Sequence, residues 1–492
     1  MKLKISYISM LYFSLCGQAF SSENKDEKID LNQVIPNYRE SLAALPVDYT
    51  LLEKKQLAGV ILQKYKLSSQ SWTLQGSVSP GLWQHEVDIY IPDSAHDKNA
   101  LVVINSGSND DGSGNPVAPT NFAQEQLSQI ATETKTIVIS VSNVPNQKLT
   151  YQGATKPLAE DDSVAWSWKL FIDDTKKYQN SSLHIPMSAA VSQALRLAKS
   201  ELHSHNISKF IVTGASKRGW ATWLAALSDP NVVAVVPFAM DLLSTQESLR
   251  HMYHSYGDNW PVAFNPYYQQ GIDKQIDTNE FSSLMTIEDP LSYLSTDMRK
   301  RLEIEKYIIN ASGDDFYVPD NSRFYYDILP GPKSLRVVGN STHHGILSVT
   351  VPSLITFLNR YQAQKALPEI SEVIGSDDNK NKTLKVSFSE QPSQVLQWTA
   401  HNPVARDFRF ACGVKYHSSQ VTLPDDGKET VIPLTKPDSG WQSTFIEATF
   451  SDGYVATSQV YITPDEYPKI APPSKGRTCQ TLPGRGLTPK YQ

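Results

Sequence analysis

The chemistry in this chain rests on a serine, a carboxylate and an imidazole, each beside glycine. Ser216 lies in Gly214-Ala215-Ser216-Lys217-Arg218-Gly219, Asp314 and Asp315 follow Ser312-Gly313, and His343 and His344 precede Gly345. A serine hydroxyl is a poor nucleophile near neutral pH. A neutral imidazole within hydrogen-bond reach takes its proton and later passes it to a leaving group. A buried carboxylate fixes the imidazole tautomer and stabilises its cation. The chain order is Ser216, then Asp315, then His343, and the acid is read as the residue three before Val318-Pro319. Asp314 and Asp241 are rivals for the acid, and His344 is the rival base. Taken singly, each of these residues fits a structural role as well.

Such groups must be held at strand ends, and the pattern around them supplies strands. Phe210-Ile211-Val212 is a short apolar run leading into the serine turn. Trp220, Trp223, Leu224 and Leu227 follow at helical spacing. Residues 84–92 alternate polar and apolar. Residues 100–105, 136–141, 232–238, 305–311 and 334–338 read as buried strands. Helices are expected at residues 123–132 and 349–362, and within 47–67 ahead of a strand. This alternation predicts a mostly parallel sheet covered on both faces. Ligands collect at the carboxyl ends of such strands, where all the candidates fall.

A serine on a tight strand-to-helix turn is the nucleophile elbow of α/β-hydrolases, whose triad order is also Ser, acid, His. The usual spacing is G-x-S-x-G. Here Arg218 stands where the second glycine belongs and Gly219 follows. A Gly-Ala-Ser turn also joins strand to helix in proteins with no such chemistry. In the hydrolase reading, the oxyanion is held by the backbone N–H of Lys217 and by an N–H of the Gly107-Ser108 turn, assigned to Ser108. Arg218, in the first turn after the serine, packs, pairs with an acid or receives a substrate carboxylate, and its position makes the last the candidate substrate-binding role.

The 492 residues exceed one compact domain, and the net charge of −6 provides no basic field for nucleic acid. Residues 1–21 read as a secretory signal: Lys2 and Lys4, an apolar centre too short to span a bilayer, and Gly17-Gln18-Ala19 before cleavage. No stable membrane insertion is expected once it is removed. Of three cysteines, Cys16 falls in that segment, which leaves Cys412 and Cys479 for one disulfide outside the cytoplasm. Neither has metal-site spacing, and no cofactor motif is present. Residues 31–366 form the α/β unit, with an aromatic-rich insertion at 241–300 that serves as a lid or packs on itself. Residues 367–470 show short strands at 383–389, 393–400, 407–414, 421–423, 430–434, 443–450 and 456–463. They predict a β-sandwich, immunoglobulin-like in outline, with Trp398 and Trp441 in its core or, as the lesser alternative, on a binding face. Residues 471–492 read as an irregular tail.

The run GASKRGWATWLAALSDPNVVAVVPFAMDLL resembles the PhoPQ-activated pathogenicity-related protein family, as do LSSQSW, WQHEV, EDDSVAW and IPMSAAV. The resemblance spans most of the chain after the signal. It implies a secreted α/β-hydrolase-like protein linked to bacterial virulence, with Ser216 as nucleophile. It also implies K-R-G-W after the serine, so Arg218 is a family trait. The family's Asn-x-x-His stretch matches Asn340 to His343 and favours His343; its match at the acid loop is loose. Two function classes follow: a secreted serine hydrolase acting on peptides or small esters, or a non-catalytic binding or signalling protein that kept the fold. The aromatic insertion and the β-sandwich suit a peptide groove.

Overall fold

The computed structural model describes residues 30–96, 98–424 and 427–487, so the signal-peptide segment lies outside it. Residues 31–487 belong to one compact unit. Its centre is a nine-stranded sheet among the described residues, in the order β1-β2-β3-β5-β4-β6-β7-β8-β9. These strands are β1 (Asp48–Leu57), β2 (Val60–Ser71), β3 (Leu82–Pro92), β4 (Asn99–Ile104), β5 (Ile137–Val141), β6 (Lys209–Ala215), β7 (Val232–Phe238), β8 (Glu305–Ala311) and β9 (Lys333–Val338). Every pairing from β5 to β9 is parallel, and β1 to β3 add an antiparallel edge. The fold is of the α/β-hydrolase type.

The parallel strands are near-continuous Val, Ile, Leu and Ala because both faces are covered. α3 (Glu160–Asp173), α4 (His184–Glu201) and α5 (Lys217–Ser228) pack residues into one apolar cluster, while α2 (Gln124–Thr134) and α9 (Thr350–Gln362) serve the other. One expectation fails at the N-terminus. Residues 47–67 contain no helix; β1 and β2 form a hairpin turned at Gly59, and α1 (Val34–Ala43) lies ahead of it. Leu51 and Leu52 are exposed on an edge strand.

The insertion carries α6 (Thr245–Ser255), α7 (Asn265–Gln269) and α8 (Asn279–Glu288). Its rings stack in a chain, with Tyr253–Trp260 centroids 5.1 Å apart, Trp260–Phe264 4.5 Å and Phe264–Tyr267 5.0 Å. Tyr267 then meets Trp168 of α3 at 5.3 Å. The tail is less irregular than its composition suggests. Thr481–Pro483 pairs with Asn259–Pro261 of the insertion, and the Cys412–Cys479 disulfide anchors the chain just before it.

Between Ile370 and Thr463 the strands form two small antiparallel sheets, and the whole is a small all-β sandwich. One sheet holds β10 (Ile370–Ser376), β11 (Lys382–Phe388) and β14 (Glu429–Pro433). The other holds β12 (Gln394–Asn402), β13 (His417–Gln420), β15 (Trp441–Thr449), β16 (Val455–Thr457) and β17 (Tyr461–Thr463). Residues 407–414 are not a strand. Their Arg409 is buried against its own Asp407 and the carbonyl of Gln480, which leaves the backbone curled around the disulfide. The predicted strand at 421–423 is also absent; β13 ends one residue before it.

The β-rich part reaches directly under the histidine loop. The Asn340 side chain exchanges both its hydrogen bonds with the backbone of Tyr416, at 2.9 and 2.7 Å. Gly339 lies so close to Trp398 that a Cβ there would be 2.9 Å from the ring. Nearby, Asp320 is buried between Arg406, at 2.5 Å, and His251, at 3.0 Å. Burial alone would raise its pKa, but the Arg406 and His251 partners hold it well below the carboxylate range.

Asp320→Asn should therefore lower stability at pH 7 by about 3–5 kcal/mol, because it leaves the Arg406 charge buried without a counter-charge. A depressed carboxylate stabilises the fold above its unfolded pKa of about 3.9 and loses that contribution as pH falls. Urea unfolding of both proteins should show the gap narrowing below about pH 4.

Candidate active site

β6 ends at Ala215, and the chain reverses at Ser216 with φ 58° and ψ −127° before α5 begins at Lys217. That left-handed value is costly for a residue with a Cβ. Neighbouring contacts enforce it. The Ser216 N–H donates to the Phe238 carbonyl at 2.8 Å. A Cβ on Gly214 would sit 2.6 Å from the Arg218 carbonyl oxygen, and one on Gly219 would sit 3.0 Å from Met240. The second glycine is thus needed one position later than in the usual motif, because here residue 219 meets the neighbouring strand end.

Ser216 Oγ lies 2.9 Å from His343 Nε2. On the far side of the ring, His343 Nδ1 is 2.9 and 3.1 Å from the two carboxylate oxygens of Asp314. A carboxylate only accepts, so Nδ1 carries the proton and Nε2 presents its lone pair to the serine hydroxyl. Asp314 Oδ1 also accepts from the N–H groups of Phe316 and Tyr317, at 2.7 and 3.2 Å, which fixes its angle. His343 and Asp314 are buried. Burial lowers the His343 pKa, but the charge and hydrogen bond of Asp314 outweigh it, and the net shift is upward.

The acid at the histidine is Asp314, not Asp315. Gly313 is clamped between the Ser341 carbonyl and the Phe410 N–H, and the turn after β8 sends residue 314 toward the histidine loop. Asp315 leaves on the other side. There burial, and then the Asp314 charge, raise its pKa. Asp241 is also excluded, since its carboxylate receives the Tyr325 hydroxyl at 2.5 Å. His344 stands exposed at the rim, its ring 5.6 Å from that of His343.

The Lys217 N–H begins α5, where no carbonyl within the helix can meet it. Ser108 does not join it. Its N–H donates to the Val117 carbonyl at 3.1 Å, and Val117 N–H returns the bond at 2.8 Å. The residue of that turn lining the cleft is Ser106, which the motif reading passed over. Arg218 does not present its charge to a ligand either. Its Nε donates to the Val144 carbonyl at 2.6 Å, and its two terminal nitrogens clasp Glu160 at 2.7 and 3.2 Å.

Glu160 and Asp161, at the start of α3, were also missed, although adjacent acids opening a helix are a readable signal. Lys217 Nζ reaches Glu160 at 2.8 Å and Asp161 at 3.2 Å. Burial would raise the Glu160 pKa, but the two cations hold it well below the usual range. Lys217, whose backbone N–H opens α5, is thereby tethered through its own side chain.

The site opens in two directions. A polar cleft of about 340 Å³ runs past Ser106, His343 and His344. A narrow pocket with room for about 30 Å³ runs from Ser216 and Lys217 between Trp168, Trp220, Tyr267 and Phe316. Asp407, Cys412 and Cys479 cluster elsewhere, but the two sulfurs are bonded to each other and offer no thiolate.

The family model of PhoPQ-activated pathogenicity-related proteins matches residues 35–409. The chain belongs to this family. It is 29% identical over 447 residues to autocrine proliferation repressor protein A of Dictyostelium discoideum, covering 85% of this chain and 87% of that protein. Among solved structures it is similar to an acetyl xylan esterase from Paenibacillus sp. R4, at 14% identity and a TM-score of 0.44, covering 67% of this chain and 94% of the other. It is also similar to a glucuronoyl esterase from Solibacter usitatus, at 12% identity and 0.37, covering 63% and 85%. The family match ends just before Cys412, so it includes every residue of the cleft and leaves out most of the β-rich part.

Gly214→Ala is expected to cost about 1–3 kcal/mol, because the new methyl meets backbone that cannot yield. Thermal unfolding reads the loss, and a crystal structure of the variant should show Ser216 Oγ beyond hydrogen-bond reach of His343.

Proposed function

We propose that this family member is a serine hydrolase working through an acyl-enzyme, with Ser216 as nucleophile, His343 as base and Asp314 as its orienting acid. The observation that carries the reading is the unbroken chain from Ser216 Oγ through His343 to Asp314, at 2.9 Å per link, on a serine held at positive φ. Ser216 attacks the substrate carbonyl while His343 Nε2 takes its proton. The tetrahedral oxyanion faces the Lys217 N–H. His343 then protonates the departing oxygen or nitrogen, which leaves an ester on Ser216. Water, deprotonated by the same imidazole, releases the acid and restores the serine. His343 belongs to the polar cleft, so the leaving group lies there and the acyl group lies in the narrow pocket.

Esters and peptides both suit this machinery. The Cys412–Cys479 disulfide and the apolar segment after Lys4 support a place of action outside the cytoplasm, in the periplasm or beyond. Among the described residues, no helix is long and apolar enough to cross a membrane. The name of the Dictyostelium relative favours a second reading, a secreted regulator that retains the fold. A fluorophosphonate probe separates the two. Labelling that disappears in Ser216→Ala supports the hydrolase, and absence of labelling in the folded protein supports the regulator.

In the hydrolase reading, Asp314→Asn should lower kcat by about 10³–10⁴-fold, while Asp315→Asn leaves it of the same order. The base works only when neutral. Because Asp314 raises its pKa, the acid limb of kcat/KM should lie above the ordinary imidazole value of 6.5. In Asp314→Asn that limb should move to lower pH. A pH–rate profile of both proteins checks the direction.

A further inference from the structure

The narrow pocket contains a second histidine that the mechanism above does not use. His184 opens α4, is 1% exposed, and lies flat on Trp220 with ring centroids 4.8 Å apart. Its Nδ1 is 2.7 Å from the carboxylate of Glu288, which is fully buried. The other Glu288 oxygen receives the Ser182 hydroxyl, and the Glu288 carbonyl receives the Trp220 indole N–H at 2.6 Å. Three elements therefore fix one ring. Among the described residues, none offers a hydrogen-bonding group to His184 Nε2, and the residue lines the pocket that begins at Ser216.

A buried polar atom without a partner costs about 1–3 kcal/mol, so a partner arriving with a ligand recovers that cost. The Glu288 carboxylate accepts from Nδ1, which therefore carries the ring proton and leaves Nε2 as an acceptor. The missing partner is therefore a donor. An ammonium fits poorly. It would bring several N–H groups into a pocket whose lining carboxylate, Asp161, is already engaged by Lys217 and by the Tyr267 hydroxyl at 3.2 Å. A hydroxyl brings one donor for one acceptor. Trp168, Trp220, Phe264, Tyr267 and Phe316 enclose the space, which suits a short chain.

We propose that the pocket is an acyl subsite selective for a short hydroxyacyl group, with His184 Nε2 accepting the hydrogen bond of its hydroxyl and Glu288 as the positioning residue. This rests on the hydrolase reading, which assigns the acyl side to the pocket that contains Lys217 but not His343.

The decisive comparison uses isosteres. Phenyl hydroxyacetate and phenyl propionate differ by a hydroxyl in place of a methyl, and phenyl glycinate supplies the ammonium. The wild-type protein should favour hydroxyacetate over propionate by at least about ten-fold in kcat/KM, corrected for spontaneous hydrolysis. In the double variant His184→Phe/Glu288→Leu, which removes the histidine and its acid together, the ratio should fall to one or below, with phenyl propionate still turned over. A wild-type ratio of one or below, a preference for glycinate, or no turnover of any of the three overturns the subsite. So does a double variant that folds and keeps the ratio. If it does not fold, the wild-type ratio alone decides. Fluorophosphonate labelling of the same samples shows whether the hydrolase reading falls with it: labelled protein without the preference loses only the subsite.

Discussion

Ser216 is held in a backbone conformation that it would not adopt alone, and the rest of the site depends on that constraint. A positive φ at a residue with a side chain costs of order 1–3 kcal/mol and persists only where the surroundings over-determine it. Here they do. The Phe238 carbonyl takes the serine N–H, two glycines let adjacent backbone approach, and α5 behind the turn is buried along its whole length. The same turn aims the hydroxyl at His343 and leaves the Lys217 N–H beyond the reach of any helical carbonyl. The aim of the serine hydroxyl and the setting of the Lys217 N–H are consequences of one bend.

Around that bend the charges are arranged to be neutral as a group. Lys217 and Arg218 follow the serine directly, and both would place an unpaired cation beside the reaction if nothing met them. Glu160 and Asp161 meet them from the start of α3. Buried cations and carboxylates of this kind are expensive apart and tolerable together. The pairing locks α3 to α5 and makes Arg218 a strut between two helices. The histidine loop is braced from the opposite direction, by Tyr416 and Trp398 of the β-rich part. Tyr416 lies outside the family match and still contributes to the site: it holds Asn340, three residues before His343.

The insertion answers a choice that composition left open between a lid and a self-packed excursion. Its rings do pack on each other, from Tyr253 to Tyr267, and the far end of that stack forms a wall of the pocket beside Ser216. Stacked aromatics give the wall stiffness, since each ring is fixed by the next.

The alternation of apolar runs with helical spacing determined the sheet, its parallel sense and the strand ends at which chemistry had to collect. The order of serine, acid and histidine was readable for the same reason, because strand ends are punctuated by glycine and small polar residues. The edge hairpin at residues 48–71 was not, because exposed leucines on an edge strand mimic one face of a helix. Choices between neighbours belonged to the tertiary structure alone. Asp314 and Asp315 have the same chemistry, and only the direction of the turn, set by contacts of Gly313 with residues 341 and 410, sends one to the histidine. Arg218 and Ser108 have the right groups for a ligand, but distant residues consume them: Glu160 lies 58 positions away, and Val117 sits in the facing loop. Sequence names the groups that can react. Folding decides which are already bonded, because a hydrogen bond is satisfied in space and not along the chain.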